Sequence, residues 1–123
     1  MSHDITGIAG IIIWTEAGRH NDMAVFYRDI LGLTPRSDRE GFINFEWGRT
    51  RLTIARHSAV AGPSTDPLRT MVNLDVPEIH PVYERLVGAG VEFTRPPEQE
   101  PWGGWIATFN DPDSNTIQLM QTG

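Results

Sequence analysis

Three side chains, Glu46, His57 and Asp75, are the candidates for acid–base chemistry in this sequence. Two carboxylates and an imidazole beside a bound molecule can accept and return protons. Metal chemistry has less to work with. The four histidines are His3, His20, His57 and His80, and no two have the four-residue or alternate-strand spacing that a ligand pair needs. His3, His20 and His80 read as solvated residues at a terminus, a helix start and a loop, and His57 as a strand-end residue. Asp111 and Asp113 look catalytic in isolation, but they flank Pro112 and precede Ser114 and Asn115, so their chemistry is that of a turn. Gly103-Gly104 is no phosphate loop, since neither a Lys nor a helix start follows. The run Pro101-Trp102-Gly103-Gly104-Trp105 sets two indoles around a flexible hinge before a strand. Trp102 is a candidate stacking residue, a contact worth about 0.5 to 1.5 kcal/mol beyond area burial. Trp105 reads as a core or interface residue, and Trp47, at a hairpin turn, fits either role.

Composition narrows the functions such residues could serve. A chain of 123 residues fits one domain (1–123) with a real core. A net charge of -6 gives no basic stripe for a phosphate backbone, which places nucleic-acid binding last. The absence of cysteine removes disulfides, thiolate metal sites and thiol nucleophiles, and suits a reducing compartment. No apolar run has the length of a membrane span, and Met1-Ser2-His3-Asp4 lacks the features of a signal peptide. The expectation is a cytoplasmic protein without a membrane partner.

The elements that must position these residues follow from hydrophobic periodicity. Ile8 to Trp14, with Ile11, Ile12 and Ile13, predicts a buried strand. Met23, Phe26, Tyr27, Ile30 and Leu31 predict a helix over 20–33 closed near Gly32. Strands are predicted at Phe42 to Trp47 and Arg51 to Ala55, around a turn at Gly48-Arg49. Residues 58–68 have the small residues and prolines of a linker. A strand (Thr70 to Val76), a helix (Ile79 to Val87, then Gly88 and Gly90) and strands around Val91 to Phe93, Trp105 to Phe109 and Thr116 to Met120 complete the chain. The fold class expected is α+β, a β-α-β-β-β module used twice, about 5–57 and 69–121.

Two segments carry a resemblance. Asp111-Pro112-Asp113-Ser114-Asn115-Thr116-Ile117-Gln118-Leu119 and Phe26-Tyr27-Arg28-Asp29-Ile30-Leu31-Gly32-Leu33 together resemble the signature of the vicinal oxygen chelate superfamily, which includes glyoxalase I, bleomycin-resistance proteins, fosfomycin-resistance enzymes and extradiol dioxygenases. The resemblance spans nearly the whole chain and implies cupped mixed sheets with a ligand site in the cup. It also implies where a divalent metal would be held in the metal-binding members: their His positions fall on Ala9 and Met71, their Glu position on Gln118, and Thr53 is the equivalent in the first half. Ala9, Ile11 and Ile13 are then expected to face the cup, with Gly10, Ile12 and Trp14 in the core. His57 and Asp75 share the parity of Thr53 and Met71.

A methyl, a hydroxyl, a thioether and a neutral amide offer a hard divalent ion neither carboxylate nor imidazole, so no metal and no other cofactor is expected. The first functional reading is therefore a metal-independent binder of a small organic ligand, contacted by Ala9, Ile11, Ile13, Thr53, Met71, Trp102 and Gln118. The second is a lyase, isomerase or dioxygenase of the same family, using a displaced metal or Glu46, His57 and Asp75. A third is an interaction module. A homodimer is expected, because two such sheets leave edges and apolar faces to cover.

Overall fold

A computed structural model describes residues 4–122; His3 lies outside them. The chain divides between Gly62 and Pro63 into two compact units, and each runs strand, helix, three strands. The first contains β1 (Gly10–Thr15), α1 (His20–Val25), β2 (Ser37–Arg39), β3 (Phe42–Trp47) and β4 (Thr50–Arg56). Its sheet has the order β1-β4-β3-β2. β1 runs parallel to β4 and the other pairs are antiparallel.

The helix that covers this sheet is not a uniform α-helix. A 3₁₀ turn at Ala17–Arg19 leads into α1, and π-helical turns continue it over Phe26–Ile30. The Leu31 N–H donates to the Phe26 carbonyl at 2.8 Å, a five-residue step. The wider turn lets the neighbours Phe26 and Tyr27 both reach the core, where a regular helix would separate them by about 100°. Tyr27 packs on Phe45, with ring centroids 6.4 Å apart. His20 is not solvated. It is 7 % exposed, and its Nε2 donates to the Ile54 carbonyl at 3.1 Å, tying the start of α1 to β4.

The second unit contains β5 (Met71–Asp75), α2 (Ile79–Gly88), β6 (Phe93–Gln99), β7 (Trp105–Asn110) and β8 (Thr116–Gln121), in the sheet order β5-β8-β7-β6. β5 and β8 are parallel. The Ile79 N–H at the start of α2 donates to Gln121 Oε1 at 2.8 Å, which meets one of the orphan donors of a helix start. Ile79 and Leu86 are buried under this helix, and Val72, Ala107, Phe109, Ile117 and Leu119 form the apolar side of the sheet. Tyr83, Phe93 and Phe109 stack in succession, at 4.7 and 5.1 Å. His80 is helical rather than in a loop, with its ring edge-on to Trp105 at 4.8 Å.

Three elements depart from the sequence reading. β2, Ser-Asp-Arg, carries no apolar alternation and pairs with β3 through its backbone. β6 starts at Phe93 and extends to Gln99 through Pro96 and Pro97. As an edge strand with two register shifts it tolerates prolines that a central strand would not. The 58–68 segment holds structure of its own: the Val60 N–H closes a turn on the His57 carbonyl, and Pro67–Arg69 form a 3₁₀ turn. The Thr116 hydroxyl donates to the Pro67 carbonyl at 2.7 Å, and the Ser64 N–H to the Asp113 carbonyl at 2.7 Å. Among the described residues, no helix is long and apolar enough to cross a membrane.

Candidate functional site

Each sheet has one face under its helix and one face without a helix, and strand register decides which side chains lie on which. In the first sheet Ile11–Leu52–Phe45 and Ile13–Ile54–Ile43 form cross-strand columns, and the burial of Leu52, Phe45, Ile13, Ile54 and Ile43 with Tyr27 puts these columns on the helix side. The alternate columns are Gly10–Arg51–Glu46, Ile12–Thr53–Asn44 and Trp14–Ala55–Phe42. Thr53 therefore lies on the helix-free face, as expected. The expected orientation of β1 is reversed: Ile13 is 9 % exposed within the core, and Ile11 shares its phase. Ala9 precedes β1 in that same phase, its carbonyl accepting the Arg51 N–H at 3.1 Å. Ile12 (52 % exposed) and Trp14 (45 %) take the helix-free face instead. Three consecutive isoleucines give both faces of β1 the same hydrophobicity, so alternation carried no orientation there.

In the second sheet the helix-free columns are Met71–Thr116–Asn110, Asn73–Gln118–Thr108 and Asp75–Met120–Ile106. Met71 and Gln118 thus have the expected orientation. The Gln118 amide Nε2 reaches the Thr108 hydroxyl at 3.5 Å. The middle column of each sheet consequently sets an amide beside a hydroxyl, Asn44 with Thr53 and Gln118 with Thr108. Sequence reading missed Asn44 and Thr108. The available signal was one polar residue inside an apolar strand, Phe-Ile-Asn-Phe and Trp-Ile-Ala-Thr-Phe.

The acid–base candidates are not brought together within one unit. Glu46 Oε2 accepts from Arg51 Nε at 2.7 Å and lies 3.2 Å from Arg36 Nε. His57 Nδ1 accepts the Ala59 N–H at 3.0 Å, which leaves the proton of the neutral ring on Nε2. The ring stands edge-on to Trp14 at 5.1 Å. Asp75, in the second unit, is exposed on the helix-free face. Asp111 is a turn residue: its Oδ1 accepts the backbone N–H groups of Asp113 and Asn115, each at 2.9 Å.

Trp102 stands in the β6–β7 turn and is 54 % exposed. This turn is closed rather than a flexible hinge. The Gly103 N–H donates to the Glu100 carbonyl and the Glu100 N–H to the Gly104 carbonyl. Pro101 at the second turn position and a positive φ at Gly103 (97°) match a type I turn followed by a bulge residue that needs glycine. The indole folds over Gly104, where a Cβ would strike the ring.

A separate cleft of about 540 Å³ lies in the first unit, lined by residues that include His20, Asn21, Arg28, Asp38, Arg39 and Arg56. Its cations are engaged. Arg28 binds Asp29 at 2.9 Å and Asp38 at 3.1 Å, hydrogen bonds that raise its own pKa and hold the Asp29 carboxyl below its ordinary value. Arg39 covers the Phe42 ring at 4.6 Å, and Arg56 lies 3.8 Å from Glu40.

The helix-free faces do not fit a metal at the positions the resemblance implies. β1 offers Gly10, Ile12 and Trp14 there, β4 offers Thr53, and β5 and β8 offer Met71 and Gln118. Whichever phase of β1 is taken, its side chains hold no imidazole or carboxylate. Among the described residues, no group of three or more His, Cys, Asp or Glu is arranged to hold a metal ion.

Solved structures resemble the chain along nearly all of its length. A glyoxalase/dioxygenase from Nostoc punctiforme superposes with a TM-score of 0.80 at 17% identity, over 100% of this chain and 95% of that one. A glyoxalase/bleomycin resistance protein/dioxygenase from Nocardioides gives 0.77 at 24% identity, over 99% and 87%. Lactoylglutathione lyase from Agrobacterium tumefaciens gives 0.74 at 15% identity, over 96% and 95%. At these identities the likeness shows the fold alone. No curated protein matches the sequence significantly. The family profile of the Glyoxalase/Bleomycin resistance protein/Dioxygenase superfamily matches residues 17–119, and with paired β-α-β-β-β units beneath that match, the chain belongs to this superfamily.

Proposed function

We propose that the chain binds small organic molecules on the helix-free face of a sheet, with no metal at the family's ligand positions. One observation carries the reading: the middle columns set neutral amides and hydroxyls, Asn44 with Thr53 and Gln118 with Thr108, beside apolar Ile12, Trp14 and Met71. Apolar surface with a few directed polar groups suits an organic ligand, whereas a hard divalent ion needs charge or imidazole. Gln118 offers both a donor and an acceptor for orientation, and Trp102 adds exposed aromatic area. The test is metal analysis of the purified protein, followed by a thermal-shift screen of organic compounds with and without EDTA. Bound compounds should raise Tm by mass action, and EDTA should leave both Tm and the shifts unchanged. A stoichiometric transition metal whose removal by EDTA abolishes the shifts would overturn the reading.

The alternative, a lyase, isomerase or dioxygenase working through acid–base residues, is supported by Asp75, a carboxylate on the same face as Met71 and Gln118. Glu46 contributes less, being held by two arginines. Turnover of a screened compound that Asp75→Asn abolishes, without loss of its binding, would favour this second reading.

A further inference from the structure

In the second sheet the polar pair of the middle column is closed: Gln118 Nε2 reaches the Thr108 hydroxyl at 3.5 Å. The corresponding pair of the first sheet makes no such bond. Asn44 is 4 % exposed, and its Oδ1 is buried without a hydrogen-bond partner. Thr53 is its cross-strand neighbour on one side and Ser37 on the other, yet neither hydroxyl answers the carbonyl oxygen. Phe42, Ile43 and Phe45 surround Asn44 in sequence, so the amide sits in an otherwise apolar stretch. Buried polar groups are nearly always paired, because an unmade hydrogen bond forfeits the hydration that the unfolded chain enjoyed. A carbonyl held unpaired on the face proposed to receive a ligand is an acceptor in want of a donor.

We infer that Asn44 determines ligand specificity, its side-chain carbonyl accepting a hydrogen bond from an N–H or O–H group on the bound molecule. This rests on the proposed binding function and narrows it: the ligand class is an organic molecule that presents a donor, such as an alcohol, a phenol or a secondary amide, next to apolar surface. A molecule that presents only acceptors or hydrocarbon at that point gains no such bond and binds less tightly.

The experiment uses matched probes on the full chain: phenol against anisole, indole against N-methylindole, and benzamide against N,N-dimethylbenzamide. Affinities are read by NMR titration, with the Asn44 side-chain amide signal as a local reporter, for the unaltered chain and for Asn44→Leu. The donor-bearing member should bind the unaltered chain about tenfold more tightly than its capped partner, the order expected for one buried hydrogen bond. It should also move the Asn44 signal. In Asn44→Leu the preference should fall to near unity. The ligand-free Tm of Asn44→Leu should rise, since the substitution removes an unpaired polar atom. A preference that survives in Asn44→Leu, a preference for capped probes, or a lower ligand-free Tm overturns the role of Asn44 while leaving the binding function standing. Failure of every probe to bind the unaltered chain removes the binding function and this role with it.

Discussion

Gly104 and Trp102 illustrate how one residue's identity constrains another. A Cβ on Gly104 would meet the Trp102 ring and, at 2.6 Å, the Gln121 carbonyl of the neighbouring strand. The ring could swing away, but the backbone of β8 cannot without disturbing the sheet. Gly104→Ala is therefore expected to cost about 1 to 3 kcal/mol, measured by thermal or denaturant unfolding. Trp102→Ala should behave oppositely. The half-exposed indole contributes little to the core, so Tm should change little, while binding of any ligand found in the screen should weaken by about 1 to 3 kcal/mol if the indole is an anchor. A large loss of Tm with unchanged binding would make Trp102 purely structural. The Arg28–Asp29 pair gives a pH-dependent counterpart. Hydrogen bonding to Arg28 lowers the Asp29 pKa, so the pair's stabilising effect is present above the ordinary carboxylate range and is lost as pH falls through the lowered value. Arg28→Ala should move the Asp29 titration upward, as read by carboxyl ¹³C shifts.

At the scale of elements, legibility followed the contrast between the two faces of a strand. β5, Met-Val-Asn-Leu-Asp, alternates clearly, and the orientations of Met71 and Asp75 followed from it. β1 places Ile11, Ile12 and Ile13 in succession, and the assignment of Ala9, Ile11 and Ile13 to the open face was inverted. β2 escaped notice because backbone pairing with β3 makes it a strand while its side chains are polar. The π-helical turns were hidden for a related reason: burial of Phe26 and Tyr27 side by side is a tertiary demand that a 3.6-residue period does not express. His20 shows the same limit. Its position at a helix start suggests a solvated residue, yet the bond to the Ile54 carbonyl buries it. His20→Ala leaves that carbonyl without its partner and should destabilise the chain by about 1 to 3 kcal/mol, detectable as a lower Tm. An unchanged Tm would mean that water replaces the imidazole at no cost.

For the whole molecule, the order of elements was legible in the second unit, and in the first apart from β2, because glycine and proline punctuate the chain where its periodicity changes. The unpaired side-chain oxygen of Asn44 was not, since a partner's absence appears only once neighbouring strands are in register. The sheet edges lead to a last expectation. β6 is an edge strand blunted by Pro96, Pro97, two register shifts and the ion pairs of Arg95 with Glu98 and Glu100, the features that discourage edge-to-edge pairing. β1 is also an edge strand, but it has no proline or charge, and it leaves Ile12 and Trp14 half exposed, with Ile8 exposed just before it. An unprotected apolar edge favours association with a second copy of the chain, most simply as a closed two-fold pair. We therefore predict a homodimer. Sedimentation velocity at micromolar concentration should give twice the chain mass, and Ile12→Lys should shift the protein toward monomer without unfolding it, because that side chain lies outside the core of its unit. A monomer for the unaltered chain at that concentration would remove the prediction.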